Sequence, residues 1–439
     1  MNPMKTIRAH RWIAIVLIGF VALDFFLLAV PNFGVYDEII YVPVAYNMMG
    51  LKPQPAQPTI LGAPISLVSP INLTRYYPLQ PLGKDFNIEQ MPLSKIIMGT
   101  FLYLFAPQQV NYFWARVPSV IMSAVALISM YGIASHFLEK QKYALLATAF
   151  LNFDTLFWIH SRAALIDIYF LAFMMLGILL YLKGHIRWSI VAIALSVLSK
   201  LAGISGLAII IAYDLIVNPK RQSFKQTFKQ MLVSIAIFFA VCVPSYTIYA
   251  YIWGMSENPI TNLLLYPQWL SKVNWTMTLI QGSSPSSQPW AWLLNQTPVR
   301  YAVVFDPTTG ISLLSFVGQM NFTIIALAIP VVVMAGYEMV KKRTPISTLV
   351  FLWFMCTWLP YLFFTLSAQE QFIHHMVATV PTIVLGIVSW LRTQNRAFVV
   401  GYTILLVTAW VWNYPYGLLW FYIVGSPYRT LPPLNFFGF

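Results

Sequence analysis

Apolar runs of about 20 residues return from one end of this chain to the other, and a water-soluble fold has no interior large enough to hide them all. They lie near 12–30, 115–137, 143–160, 163–183, 188–199, 201–217, 231–252, 310–338, 346–366, 374–391 and 397–420. A helix crosses a bilayer with about 17–25 such residues. Only 9% of the 439 residues are charged, against about 25% in a soluble domain, so the solvent is lipid. The expected fold is an all-α polytopic membrane protein of about eleven transmembrane helices, forming one domain over 1–439. The short pair 188–199 and 201–217 meets at Lys200 and is readable either as a hairpin or as one long tilted helix.

The net charge of +13 would suggest nucleic acid in a soluble protein. Here the basic residues sit in short loops between apolar runs, the pattern of cytoplasmic loops facing anionic lipid, so membrane lipid is the expected partner and nucleic acid is not. The stretch 93–106 decides the topology. If it lies in the interface or re-enters without crossing, then Lys5, Arg8, Arg11, Lys140, Lys142, Lys183, Arg187, Lys220, Arg221, Lys225, Lys229, Lys341, Lys342, Arg343, Arg392 and Arg396 share one side. That side is the cytoplasm, which puts the N-terminus inside and the C-terminus outside. The run 12–30 follows Lys5, Arg8 and Arg11 as a signal peptide would, but it is too long and lacks a cleavage site, so it reads as a retained first helix. Two long loops, 31–92 and 253–309, then lie outside, and their aromatic content predicts short helices on the membrane surface rather than disorder. Cys242 and Cys356 lie within apolar runs and define no disulfide framework.

Ionisable residues are expensive in or beside hydrocarbon and usually have a partner or a task. In the expected topology Asp37, Glu38, Glu89, Arg116, Arg162, Asp167, Lys200, His374 and His375 gather at the outer ends of several helices. Acid and base on one face suit an anionic substrate. Plainer readings stand beside this one. Asp37 and Glu38 also suit a helix start, Arg116 suits a snorkelling anchor, Arg162 with Asp167 suits a structural ion pair, and Lys200 suits a lysine reaching for water. Asp24 and Asp154 read as satisfied structural polars. His374 and His375 point about 100° apart on a helix, which argues against a shared metal. Trp290 and Trp292 would face one side in an extended stretch, as a sugar wall or a headgroup anchor.

Seven segments carry a resemblance in order: YDEIIY (36–41), EQMPLSKII (89–97), RVPSVIMSAV (116–125), HSRAALID (160–167), LSVLSKLAGI (195–204), SSQPWAWLL (286–294) and FIHHMVATVP (372–381). Together they resemble the protein O-mannosyltransferases (glycosyltransferase family 39), within the GT-C class of polyprenyl-phosphate-sugar glycosyltransferases. Met91 departs from that pattern, and Glu89 is reminiscent of the aminoarabinose transferases that modify lipid A. The resemblance implies a GT-C-like helical bundle in a cell membrane or endoplasmic reticulum, with its active site on the outer or lumenal face. It implies transfer of a hexose, mannose in the first instance, from a polyprenyl (dolichyl) phosphate to an acceptor hydroxyl on protein, lipid or glycan. Asp37 would be the base with Glu38 as its orienting neighbour, while Arg116, Arg162 and Lys200 would hold the donor phosphate. Glu89, Asp167 (holding Arg162), His375, Trp290 and Trp292 would support them. A phosphate leaving group implies no obligatory metal and no cofactor. A transporter is the rival from another class, although no internal repeat is visible and the charges fall at helix ends rather than mid-membrane.

Overall fold

The computed structural model describes residues 3–30, 32, 34–55, 59–60, 63–64, 81–88, 90–217, 224–254, 287–305, 312–365 and 371–413. Helices fill most of them, as the apolar runs require. The core is built where Tyr112–Phe137 packs on Asp167–Leu182, which in turn packs on Ile186–Ser199. Close approach is set by small residues. A Cβ on Gly132 would meet the Leu179 side chain at 2.6 Å, and one on Gly177 would meet Ile193 at 2.6 Å. Phe322–Lys341, Pro345–Thr365 and Val380–Leu391 form a second packed group.

Polar side chains cap the helices where the chain enters them. Asn111 accepts from the Trp114 amide at 3.2 Å and Asp154 from the Phe157 amide at 2.9 Å. Each satisfies an otherwise orphaned amide of a first turn. The other carboxylate oxygen of Asp154 accepts from the Asn321 amide at 2.9 Å, tying two helix starts together. Asp24, fully buried, takes a hydrogen bond from Ser123 Oγ at 2.8 Å. Both acids therefore have structural partners.

By length and composition four described helices suffice to cross a membrane: Tyr112–Phe137, Met231–Trp253, Phe322–Lys341 and Pro345–Phe363. A fifth crossing is available if Thr155–Arg162 and Asp167–Leu182, bent by 109° at residues 163–166, count as one. Leu93–Phe105 has 13 residues and at about 1.5 Å per residue reaches roughly 20 Å, short of a hydrocarbon core of about 30 Å. The chain between 188 and 217 is not one helix. Lys200 is extended (φ −157°, ψ 137°) and a 3₁₀ turn, Leu201–Ile204, follows it. Gly203 there lies against Ser196, where a Cβ would come within 2.5 Å of the Ser196 carbonyl carbon.

Two features differ from the all-helical expectation. A two-residue pair, Thr59–Ile60 with Ala63–Pro64, forms a small antiparallel hairpin. More consequentially, the run 310–338 is not one helix. Its first part is a strand, Ser312–Gly318, paired antiparallel with Val299–Phe305. We label these strands β3 and β4, after β1 (Thr59–Ile60) and β2 (Ala63–Pro64). An apolar run of seven residues carries no periodicity that separates a strand from a buried helix. The alternation expected of Trp290 and Trp292 also gives way: Pro289–Trp292 is a helical turn.

Candidate active site

Glu38 opens the helix Glu38–Met48 and is fully buried. Its Oε1 and Oε2 accept from Arg116 Nε at 2.8 Å and Nη2 at 2.7 Å, a bidentate pair. The remaining lone pairs are also used: Oε1 accepts from the Ala164 amide at 2.6 Å and Oε2 from the Val35 amide at 2.9 Å. Arg116 Nη1 in turn donates to the Leu28 carbonyl at 3.1 Å. The sharp bend at 163–166 has no Pro or Gly. Glu38 takes up an amide that the break releases, so this bend is held by tertiary structure. Arg116, expected at the donor phosphate, is paired here with Glu38 and ties the first long loop to the bent helix pair.

A second ion pair has a different character. Lys200 Nζ donates to Asp167 Oδ1 at 2.7 Å, with side-chain exposures of 13% and 5%. Asp167 was expected to hold Arg162, but the ion partner it takes is Lys200. The Arg162 guanidinium lies 4.6 Å over the Trp158 ring and is itself nearly buried.

Asp37 is half-buried, next to Glu38 in sequence and within electrostatic reach of both Asp167 and Lys200. Enclosure by protein pushes its carboxyl up to about 7, helped by the negative charge of Asp167 and opposed by Lys200 and a Tyr41 hydrogen bond. A carboxyl tuned to neutrality beside a fixed ammonium is suited to taking a proton while a neighbouring anion departs.

Aromatic and imidazole groups line this place, most of which the sequence reading passed over. Tyr301 on β3 makes a 2.7 Å hydrogen bond with His160 Nε2, and the Tyr36 hydroxyl meets His374 Nδ1 at 3.3 Å. The Tyr36 and Tyr301 rings are 4.7 Å apart, and those of His160 and His374 6.3 Å. His160 and His374 lie near enough to the Asp167–Lys200 pair to feel both charges. His160 stands inside the HSRAALID segment and was legible as a buried ionisable group at a helix end. Tyr301 carries no such signal.

His375 packs against His374, with ring centroids 4.1 Å apart, and carries the group on toward the next helix. It stacks on Tyr361 at 4.7 Å with a 12° interplanar angle, with the Trp292 ring 5.9 Å off. Trp292 is fully buried and donates from Nε1 to Ser287 Oγ at 2.8 Å, whereas Trp290 is 54% exposed. The two tryptophans thus do not form one wall. Among the described residues no set of three His, Cys, Asp or Glu side chains converges as a metal site. Glu89 falls outside the described residues, as do Asn72 and Asn274, each the first residue of an Asn-x-Thr pattern that Asn295 also begins. At Asn295 the amide is occupied: it exchanges hydrogen bonds of 2.7 and 3.1 Å with the Met320 backbone.

Residues 98–256, which include Arg116, Arg162, Asp167 and Lys200, match the model of the family described as dolichyl-phosphate-mannose-protein mannosyltransferase. Over that stretch the chain is protein O-mannosyltransferase-like. Among curated proteins it is 28% identical over 146 residues to a polyprenol-phosphate-mannose–protein mannosyltransferase of Mycobacterium tuberculosis, covering 29% of this chain. The aligned part spans 28% of that relative's length. Among solved structures, the S. cerevisiae protein O-mannosyltransferase Pmt1–Pmt2 complex bound to the sugar donor matches with a TM-score of 0.66 at 10% identity, covering 90% of this chain and 88% of that one. ArnT from Cupriavidus metallidurans in the apo state matches at 0.56 and 12% identity, covering 90% and 62%. At such identities the structural matches establish a shared fold, and with four described helices long and apolar enough to cross a membrane the chain is an integral membrane protein.

Proposed function

We propose that this chain is a membrane glycosyltransferase that moves a hexose, mannose in the first instance, from a polyprenyl phosphate to the hydroxyl of a protein Ser or Thr. The observation that carries the reading is Asp37: a half-buried carboxyl raised to about 7 beside the Asp167–Lys200 pair. The family match over 98–256 and the mycobacterial relative, named for polyprenol-phosphate-mannose and protein, support donor and acceptor class.

In this reading the acceptor oxygen attacks the anomeric carbon and its proton passes to Asp37. The bond from that carbon to the phosphate oxygen breaks, and the lipid phosphate leaves with the added negative charge. Lys200 and Arg162 stabilise that charge, since fixed cations at a developing anion are usually the largest catalytic contribution. A single displacement inverts the anomeric centre. Arg116 and Glu38 act one step back, by holding the peptide that carries Asp37. The proposal includes about eleven crossings in one domain over 1–439, a cytoplasmic N-terminus, and a site on the outer or lumenal face, where loops 31–92 and 253–309, which lie partly outside the described residues, also emerge.

The test uses the purified chain in bilayers with labelled polyprenyl-phosphate mannose, glucose and aminoarabinose, offered to peptides, lipids and glycans. Label on Ser or Thr from the mannose donor supports the reading. Label on lipid or glycan alone moves the acceptor, and no transfer from any donor by folded protein refutes it.

A further inference from the structure

The β3–β4 hairpin is not an ideal ladder. Arg300 pairs with Val317 and Ala302 with Phe316, so Tyr301 is an extra residue with no partner across the ladder. Such a bulge re-aims a side chain and turns its backbone out of the ladder. Both consequences are visible. The Tyr301 carbonyl accepts from the Tyr36 amide at 2.9 Å, and its hydroxyl meets His160 Nε2 at 2.7 Å. Gly318 makes room for the ring, because a Cβ there would lie 2.2 Å from Tyr301 Cε2. Tyr36 has φ +48°, a left-handed conformation that is uncommon for a bulky residue and persists only where its surroundings enforce it. Asp37 follows immediately. The hairpin thus grips the residue before the carboxyl through a backbone bond, and an imidazole within electrostatic reach of the Asp167–Lys200 pair through a phenol. His160 Nδ1, at the other side of that ring, is buried without a hydrogen-bond partner.

We propose that Tyr301 is a positioning residue for sugar transfer, fixing the His160 imidazole through its hydroxyl and the Tyr36–Asp37 peptide through its bulged backbone. The role rests on the transferase reading above.

The test measures kcat and donor KM in bilayers for wild type, Tyr301→Phe, Tyr301→Ala, Gly318→Ala, His160→Gln and the double variant Tyr301→Phe/His160→Gln. Misplacement of a reacting group by about 1 Å costs about 100-fold. Tyr301→Phe, which keeps the ring, should lower kcat about 10-fold with donor KM unchanged, and Tyr301→Ala and Gly318→Ala about 100-fold. The double variant should be no slower than His160→Gln alone. A wild-type kcat in Tyr301→Phe overturns the role. So do losses that multiply in the double variant, or a kcat loss matched by a lowered melting temperature in Tyr301→Phe. Wild type inactive with every donor overturns the transferase reading and this role with it. An active wild type with an indifferent Tyr301→Phe overturns this role alone.

Discussion

Two buried ion pairs stand on the same bent helix pair and serve it differently. Glu38–Arg116 is closed: two parallel charge-assisted bonds and two backbone amides fill the acceptor sites of the Glu38 carboxylate, every nitrogen of the Arg116 guanidinium makes a bond, and exposures are 0% and 3%. Asp167–Lys200 is open: one bond, a lysine 13% exposed, and Asp37 within electrostatic reach. A closed pair has nothing left for a ligand, and so it defines shape. An open pair holds its ammonium in place while leaving donors for an incoming anion. Sequence alone makes Arg116 and Lys200 look alike, as cations at helix ends; the partners they find separate them.

The sharpest break of this comparison is Asp37→Asn. Loss of the base should lower transfer by about 10²–10⁴-fold, measured as initial rate on folded protein. The same variant should be more heat-stable than wild type above pH 7. Asp37 keeps its proton up to about 7 in the folded chain and releases it at the ordinary carboxyl value when unfolded. Folding stability is therefore lost as pH rises through that window, and the amide removes the slope. Next, Lys200→Met should lower kcat by about 10²–10³-fold with a smaller loss of stability. Arg116→Met should do the reverse, destabilising by about 3–5 kcal/mol because Glu38 is left charged and buried. Thermal unfolding and single-turnover rates on both variants test the distinction, which fails if the two behave alike. A gentler probe is the pH profile of kcat/KM in wild type. It should rise with pH through a limb near 7, and a limb near 4 would remove Asp37 as base. The smallest effect is expected at Trp290. Being 54% exposed, it should tolerate Ala with little change in melting temperature, whereas buried Trp292→Ala should cost about 3–5 kcal/mol.

The long helices were legible because hydropathy speaks for them: Tyr112–Phe137 and Pro345–Thr365 fall within a few residues of the apolar runs. The charged residues Asp37, Glu38, Asp167 and Lys200 were legible because an ionisable group beside hydrocarbon requires a reason. The partners were not, since pairing Asp167 with Lys200 rather than Arg162 depends on where the chain leaves the helix at residue 200. Ser312–Gly318 was missed because a short apolar run reads equally as strand or helix. Tyr301 was missed for a related reason. Its place at the site is created by a bulge and by the absence of a side chain at Gly318, and neither leaves a pattern in composition or spacing. The tryptophans were misread because Pro289 begins a helical turn, where extended alternation no longer applies.

The most direct measurement is a rate comparison of wild type and Asp37→Asn from pH 5.5 to 9, with labelled polyprenyl-phosphate mannose and the acceptor found to take the label. Wild-type transfer should rise through about pH 7, with the Asp37→Asn rate at least about 100-fold lower above that pH and the gap narrowing below it as Asp37 takes up its proton. Equal rates in the two proteins above that pH would contradict Asp37 as the base.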